Sequence, residues 1–277
     1  MPEGLRRFAR NRGGLLGAGV LLVVLALALL APVLSPVAPL RIVAPPELWP
    51  GENPRYPLGT DSVGHDMAAL LLWGARATLL VGVSASLAAT VLGTAVGALA
   101  GYYGGRVDAG LTKLTELFQT IPNLVFILTI VVILGPKLSH TIIAIAVVSW
   151  TPLARLARAE FLALRDREFV QACRTMNMPG WRIILFEVLP NALPPIIVLS
   201  SLTVASAILF EAALSFLGLG DPDVATWGRL VGEGKELIRS SWYVSALPGV
   251  AIMLVVLSLN LVGDGLNDAL NPKLRDR

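Results

Sequence analysis

The sequence predicts an all-α, polytopic membrane protein with six transmembrane helices and both termini in the cytoplasm, and three observations carry that prediction. The 277 residues are 55% hydrophobic and 15% charged, with a mean hydropathy of +0.72, whereas a soluble domain averages about 25% charged residues. Six runs are long, apolar and free of charge. The Lys and Arg residues crowd into alternate connecting segments, as the charge asymmetry of cytoplasmic loops requires.

A spanning helix takes about 20 residues to cross roughly 30 Å of hydrocarbon. The first run, residues 13 to 40, follows Arg6, Arg7, Arg10 and Arg12. A secretory leader has an apolar core of about 7–15 residues. Gly13 to Val33 is longer and ends in no small-x-small cleavage site, so this run is expected to persist as the first span. A Pro-rich segment, residues 37 to 75, follows and ends in YPLGTDSVGHDMAALLLWGAR.

The second run, 77 to 105, carries Gly93, Gly97 and Gly101 at four-residue spacing, with Gly82, Ser86 and Ala89 on nearly the same face. Small residues at that spacing let two helices approach closely where lipid is as apolar as Leu. The face is expected to pack on another helix, of this chain or of a partner. The third run is 117 to 136. The fourth, 138 to 154, has only 17 residues but is flanked by Lys137 and Arg155, whose stems reach the headgroups. The fifth and sixth are 188 to 210 and 240 to 263, separated by a segment containing LGLGDPDVATWG.

With the N-terminus inside, the cytoplasmic segments hold fifteen Lys and Arg residues and the opposite segments seven. The division expected is an N-terminal tail, first span and extracytoplasmic loop over 1–75, a five-helix core over 76–268 with a cytoplasmic loop at 158–190, and a cytoplasmic tail over 269–277.

Several function classes are excluded. The pI near 9.3 is accounted for by the inside bias of basic residues, so no nucleic acid is implied. Cys173 is the single cysteine and His65 and His140 are far apart, so neither a disulfide nor a metal site is expected. No HExxH is present. Gly234 and Lys235 are followed by Glu236, and Arg229 stands where a phosphate loop needs its first Gly. Glu116, Glu211 and Asp264 fall at predicted helix ends, where hydration or a helix terminus is expected to satisfy them. No span has an ionisable group near its centre, which counts against a carrier driven by a coupling ion.

One stretch breaks the pattern: EFVQACRTMNMPGWRIILFEVLPN, residues 168 to 191. Phe169, Ala172, Cys173 and Met176 recur at i, i+3, i+4 and i+7, one face of a helix. Asn177 is suited to a left-handed turn past a helix end, and Pro179 cannot continue the helix. Trp181, Ile184, Leu185 and Val188 repeat the spacing, which predicts a second short helix along the interface, closed by Pro190. The first helix has no lipid in which to bury its stripe, which suggests a protein groove. The alternatives are a pair folded back on the span ends and a helix-turn-helix for DNA, the latter tethered too close to the bilayer to enter a groove.

The segment FVQACRTMNMPGWRIILFEVLPN resembles the cytoplasmic signature loop of the permease subunits of bacterial ABC importers, in which EAA is followed three residues later by Gly and then by an I-x-LP run. More narrowly, the chain is similar to the second permease of the dipeptide, oligopeptide and nickel importer group. The motifs run in order over residues 58 to 272: LGTDSVGHD, WGARATLLVG, AGYYGGRVD, the loop with LPNALPP, EAALSFLGLG, TWG and NLVGDGLNDALNP. Gln171 stands for the usual Glu, Cys173 for the second Ala, Asn177 for the Gly, His65 for Arg and Glu116 for Asp.

The resemblance implies a chain that is not itself an enzyme, binds no cofactor and forms half of a translocation pathway. The other half would be a second homologous permease. Two cytoplasmic ATP-binding subunits would hydrolyse ATP, and an extracytoplasmic solute-binding protein would deliver a di- or oligopeptide, with nickel or another small solute as the alternative cargo. It also implies that Arg167, Glu168, Phe169, Val170, Gln171, Ala172, Cys173, Arg174, Met176 and Asn177 contact an ATPase subunit. A self-sufficient secondary carrier is the competing class.

Overall fold

A computed structural model describes residues 8 to 270. Arg6, Arg7, Lys273, Arg275 and Arg277 of the two basic tails lie outside the described residues. The order of helices is α1 (Arg12–Leu34), α2 (Met67–Tyr103), α3 (Gly105–Gln119), α4 (Asn123–Leu134), α5 (Leu138–Leu164), α6 (Glu168–Thr175), α7 (Gly180–Phe216), α8 (Trp227–Gly234) and α9 (Tyr243–Leu270). Among the described residues there is no strand, only isolated bridges between Ile42 and His65 and between Thr60 and Asp66.

Helix α2 occupies the centre. Its first half packs on α7, where a methyl group added at Gly82 would lie 2.6 Å from Ile208 Cγ1. Ser86 Oγ donates to the Ser200 carbonyl at 3.0 Å on the same seam. Its second half packs on α5. Helix α1 lies on α9, where a methyl group at Gly17 would come within 2.6 Å of the Ser258 carbonyl oxygen, and Asn11 Nδ2 donates to Asp268 Oδ2 at 2.8 Å. The rest of α1 presents Leu22, Val23, Leu29 and Val33 outward, as a helix in lipid does.

Among the described residues, five helices are long and apolar enough to cross a membrane, and a bent pair makes up to six. That pair is the main departure from expectation. In place of one span over residues 117 to 136, α3 and α4 meet at 82°. Pro122 has no N–H to donate and disfavours the helical region at Ile121, so the helix stops and restarts. The 12 residues of α4 rise only about 18 Å, short of a roughly 30 Å core. Helix α3 is amphipathic and turns Leu111, Thr115 and Phe118 toward the bundle. The Phe118 ring stands edge-on to Trp150, 5.3 Å between centres.

Two further expectations change. The fourth helix does not stop at Ala154 but runs to Leu164. Charge ends an apolar run without ending a helix, because Arg158 finds a partner: its Nε and Nη2 donate to Asp108 of α3 at 2.5 and 2.7 Å. Nor do residues 181 to 188 form a separate interfacial helix. They are the first turns of the 37-residue α7, joined to it by a π turn over Ile183–Val188. The wide turn lies just ahead of Pro190 and gives its ring room against the preceding carbonyls. Asn191 Nδ2 donates to the Glu187 carbonyl at 2.7 Å.

Candidate functional site

Helix α6 is eight residues long, without a side-chain cap at its N-terminus and closed by a hydrogen-bonded cap at its C-terminus. Glu168 in its first turn and Arg174 in its last turn oppose the helix dipole. At the C-terminus Asn177 has φ +58°, its N–H donates to the Arg174 carbonyl at 2.9 Å, and the Met178 N–H donates to the Cys173 carbonyl at 3.1 Å. These two bonds make a Schellman cap, with Met178 and Cys173 in the hydrophobic contact that accompanies it. The left-handed turn expected at Asn177 is present.

The apolar stripe of α6 divides. Val170 and Cys173 point inward and join one core with Trp150, Phe161, Ile183 and Ile184. Phe169 and Met176 are 38% and 67% exposed, and Ala172, Gln171 and Arg174 also face out. Cys173 therefore leaves the stripe assigned to it from the spacing and pairs with Val170 instead. Two stripes 100° apart both have helical spacing in so short a segment, and periodicity cannot separate them. Outside the core contact, the Arg174 guanidinium sits 5.3 Å from the Tyr102 ring centre. Gly180 is close to Tyr102 and Tyr103, leaving 3.3 Å between an added methyl and the Tyr103 hydroxyl. The hairpin is thus braced on α5, α7 and the end of α2.

The glycines of α2 meet α5 of the same chain. A methyl group at Gly93 would lie 2.5 Å from the Trp150 carbonyl oxygen, and one at Gly101 would lie 2.6 Å from both the Arg158 carbonyl oxygen and Phe161 Cβ. One at Gly97 would overlap the Ala154 carbonyl. The seam ends at Phe161, in the core that also holds Val170 and Cys173.

The three carboxylates separate. Asp264 and Glu116 are exposed, and Glu116 lines a cavity of about 340 Å³ between α2, α3 and α5. Glu211 is not hydrated at a helix end, as expected from its position. It is 1% exposed, and its Oε1 accepts from Ser215 Oγ at 2.7 Å. Oε2 has no protein partner among the described residues. The i, i+4 spacing of Glu211 and Ser215 in EAALSF was the available signal.

His65 is not isolated: its Nδ1 lies 2.6 Å from Asp61 Oδ2, while Asp61 Oδ1 accepts from the N–H groups of Val63, Gly64 and His65 at 2.8 to 3.0 Å. The motif LGTDSVGHD is therefore a self-bonded turn. Tyr243 anchors it, with its hydroxyl 2.7 and 2.8 Å from the Leu48 and Thr60 carbonyls. Trp227 of TWG donates its indole N–H to the Leu71 carbonyl at 2.9 Å. No group of three or more metal-ligating side chains occurs among the described residues.

An all-helical bundle with helices long and apolar enough to span a membrane and a short braced helical hairpin has known counterparts. The family model for the binding-protein-dependent transport system inner membrane component matches residues 93–276. The chain belongs to this family. A model for the N-terminal transmembrane domain of oligopeptide transport permease C matches residues 3–46. The chain is 39% identical to the di/tripeptide transport system permease protein DppC of Pseudomonas aeruginosa, over all of this chain and 93% of that one. It is 36% identical to the dipeptide transport system permease protein DppC of Bacillus subtilis, over 98% of this chain and 85% of that one. The same fold occurs in a chain of the inward-facing MetNI methionine ABC transporter, with a TM-score of 0.61 and 21% identity over 72% of this chain and 94% of that chain. The protein is a multi-pass bacterial inner-membrane component, the permease subunit of an ABC importer.

Proposed function

We propose that this permease forms half of the pathway of an ATP-driven importer of di- and oligopeptides, with Arg167, Glu168, Phe169, Gln171, Ala172, Arg174, Met176 and Asn177 as its contact to an ATPase subunit, while the buried Val170 and Cys173 of the same helix hold it to the bundle. A second homologous permease, two cytoplasmic ATP-binding subunits and an extracytoplasmic binding protein complete the assembly, and ATP is hydrolysed on the ATP-binding subunits. The named substrates of the relatives support the peptide class. The Lys and Arg asymmetry, fifteen against seven, supports cytoplasmic termini and a cytoplasmic α6. Residues 76–268 then act as the transport core, with 1–75 and 269–277 peripheral to it.

The observation that carries this reading is the two-sided character of α6. One face, Val170 and Cys173, is locked into the core between α5 and α7, while Phe169, Ala172 and Met176 present apolar surface outward. An apolar face on a helix at the aqueous end of a bundle calls for a protein groove. Closure of the ATPase dimer pulls α6, and the shared core passes the displacement to α5, the glycine seam and α2. A contact equal in both states would shift nothing, and moving a 1:99 equilibrium to 99:1 takes roughly 5.5 kcal/mol of differential binding.

Phe169→Asp tests this. Phe169 is exposed, so the bundle folds, whereas losing an anchor in a groove costs about 2 kcal/mol or more, roughly thirtyfold in affinity. Substrate-stimulated ATPase activity and copurification of the ATPase are expected to fall together. If both persist at wild-type levels, α6 is not the docking element.

A further inference from the structure

The break between α3 and α4 leaves non-helical backbone at residues 120 to 122 inside a segment apolar enough to span. Such backbone is tolerated at membrane depth only where it is buried in protein or lines water. Beside it opens the cavity of about 340 Å³ between α2, α3 and α5, within the range of about 300–1,000 Å³ usual for small-ligand clefts. Its floor is the glycine seam at Gly97, and its walls carry Thr115, Glu116, Gln119, Arg155 and Arg158.

The charges in this cavity are not equivalent. Both Asp108 oxygens hold Arg158, and Thr112 Oγ1 also donates to Asp108. Thr115 donates to the Leu111 carbonyl at 2.8 Å. Arg155 has only a 3.5 Å contact from Nη1 to Gln119 Oε1, the outer limit of a hydrogen bond. Neither Arg155 nor Glu116 forms an ion pair among the described residues. One cation and one anion thus face a common space with their hydrogen-bonding capacity free. A bare anion such as a lipid phosphate would meet Arg155 but be repelled by Glu116.

We propose that this cavity is a transient binding station for a small zwitterion on the import pathway, in which Glu116 takes the substrate ammonium and Arg155 its carboxylate. A free dipeptide carries one of each at its two ends. The inference rests on the peptide reading of the previous subsection and adds to it two residues that recognise the termini rather than the side chains. Glu116 and Arg155 then serve any dipeptide, which suits a permease that follows a selective binding protein.

The test uses the assembled importer with binding protein and ATPase subunits, with Cys173→Ala and Gln119→Cys in this chain. A thiol reagent then reports on the cavity directly. Ala-Ala is expected to slow modification of the new thiol, whereas N-acetyl-Ala-Ala-amide, which has neither charge, is expected not to. Glu116→Gln and Arg155→Gln are each expected to raise the half-protecting Ala-Ala concentration about tenfold, as loss of one charge-assisted hydrogen bond implies. Both residues are exposed, so the fold is retained, and Arg155→Lys is expected to restore part of the protection.

Equal protection by the two compounds overturns the station. Ala-Ala import without protection also overturns it and leaves the peptide importer standing. Failure of the wild-type complex to import any dipeptide removes both readings. Protection that follows anionic lipid content rather than dipeptide gives the cavity to a headgroup and overturns the proposal.

Discussion

Replacing Gly97 by Ala adds one methyl group at the tightest crossing of the bundle. The new Cβ would overlap the Ala154 carbonyl and lie 2.7 Å from Ala157 Cβ and 2.8 Å from the Arg158 amide nitrogen. Two of these three atoms belong to the α5 backbone, so no side chain can swing aside. Restoring a normal separation of about 3.5 Å requires α2 and α5 to part by roughly 1 Å.

Overpacking of this kind costs about 1–3 kcal/mol, against which Ala gains about 1 kcal/mol over Gly as a helix former. Gly19→Ala in α1 is the matched control, because an added methyl there meets nothing within 4 Å. It keeps the propensity gain without the clash, so subtracting the two leaves the packing cost alone. At about 2–4 °C per kcal/mol, the purified importer carrying Gly97→Ala is expected to melt several degrees below the one carrying Gly19→Ala. Equal melting temperatures would refute the idea that this seam is in backbone contact.

Substitutions at two other positions probe the hairpin cap and the loop anchor. Asn177→Gly is expected to keep transport near wild type, while Asn177→Val, a β-branched residue forced to φ +58°, pays about 1–3 kcal/mol of strain and is expected to lower uptake and substrate-stimulated ATPase activity; equal activity of the two variants contradicts a left-handed turn. Tyr243→Phe removes the donor shared by the Leu48 and Thr60 carbonyls at a cost of about 1–3 kcal/mol, and limited proteolysis is expected to cleave the 35 to 66 segment faster than in wild type, with no change if that anchor is dispensable.

What could be read from the sequence depended on how local the physics was. The four-residue spacing of Gly93, Gly97 and Gly101 is a property of one helix, so the close-packing face was legible, whereas its partner is a property of the bundle. Hydropathy located the apolar runs but not their breaks: it counts Pro122 as one more uncharged residue, although the missing N–H there divides the third span. Charge misled in the opposite sense at Arg155, which closes the apolar run although the helix continues to Leu164, past Arg158, whose partner Asp108 comes from a helix hidden in a loop.

Glu211 misled for the same reason, since burial depends on Trp227 and its neighbours folding back over the end of α7. At α6 the local signal was sufficient for the helix and its cap, because Asn177 and Pro179 act on adjacent backbone. It was insufficient for orientation, because Val170 and Phe169 are both apolar and only the core beneath distinguishes them. That ambiguity has a functional consequence. Under the proposed docking of α6 on an ATPase subunit, the helix needs apolar residues on two faces, one for each body it would join, so an excess of apolar residues over what one stripe can hold would be the sequence mark of that role. Val170 outside the Phe169, Ala172 and Met176 stripe is that excess.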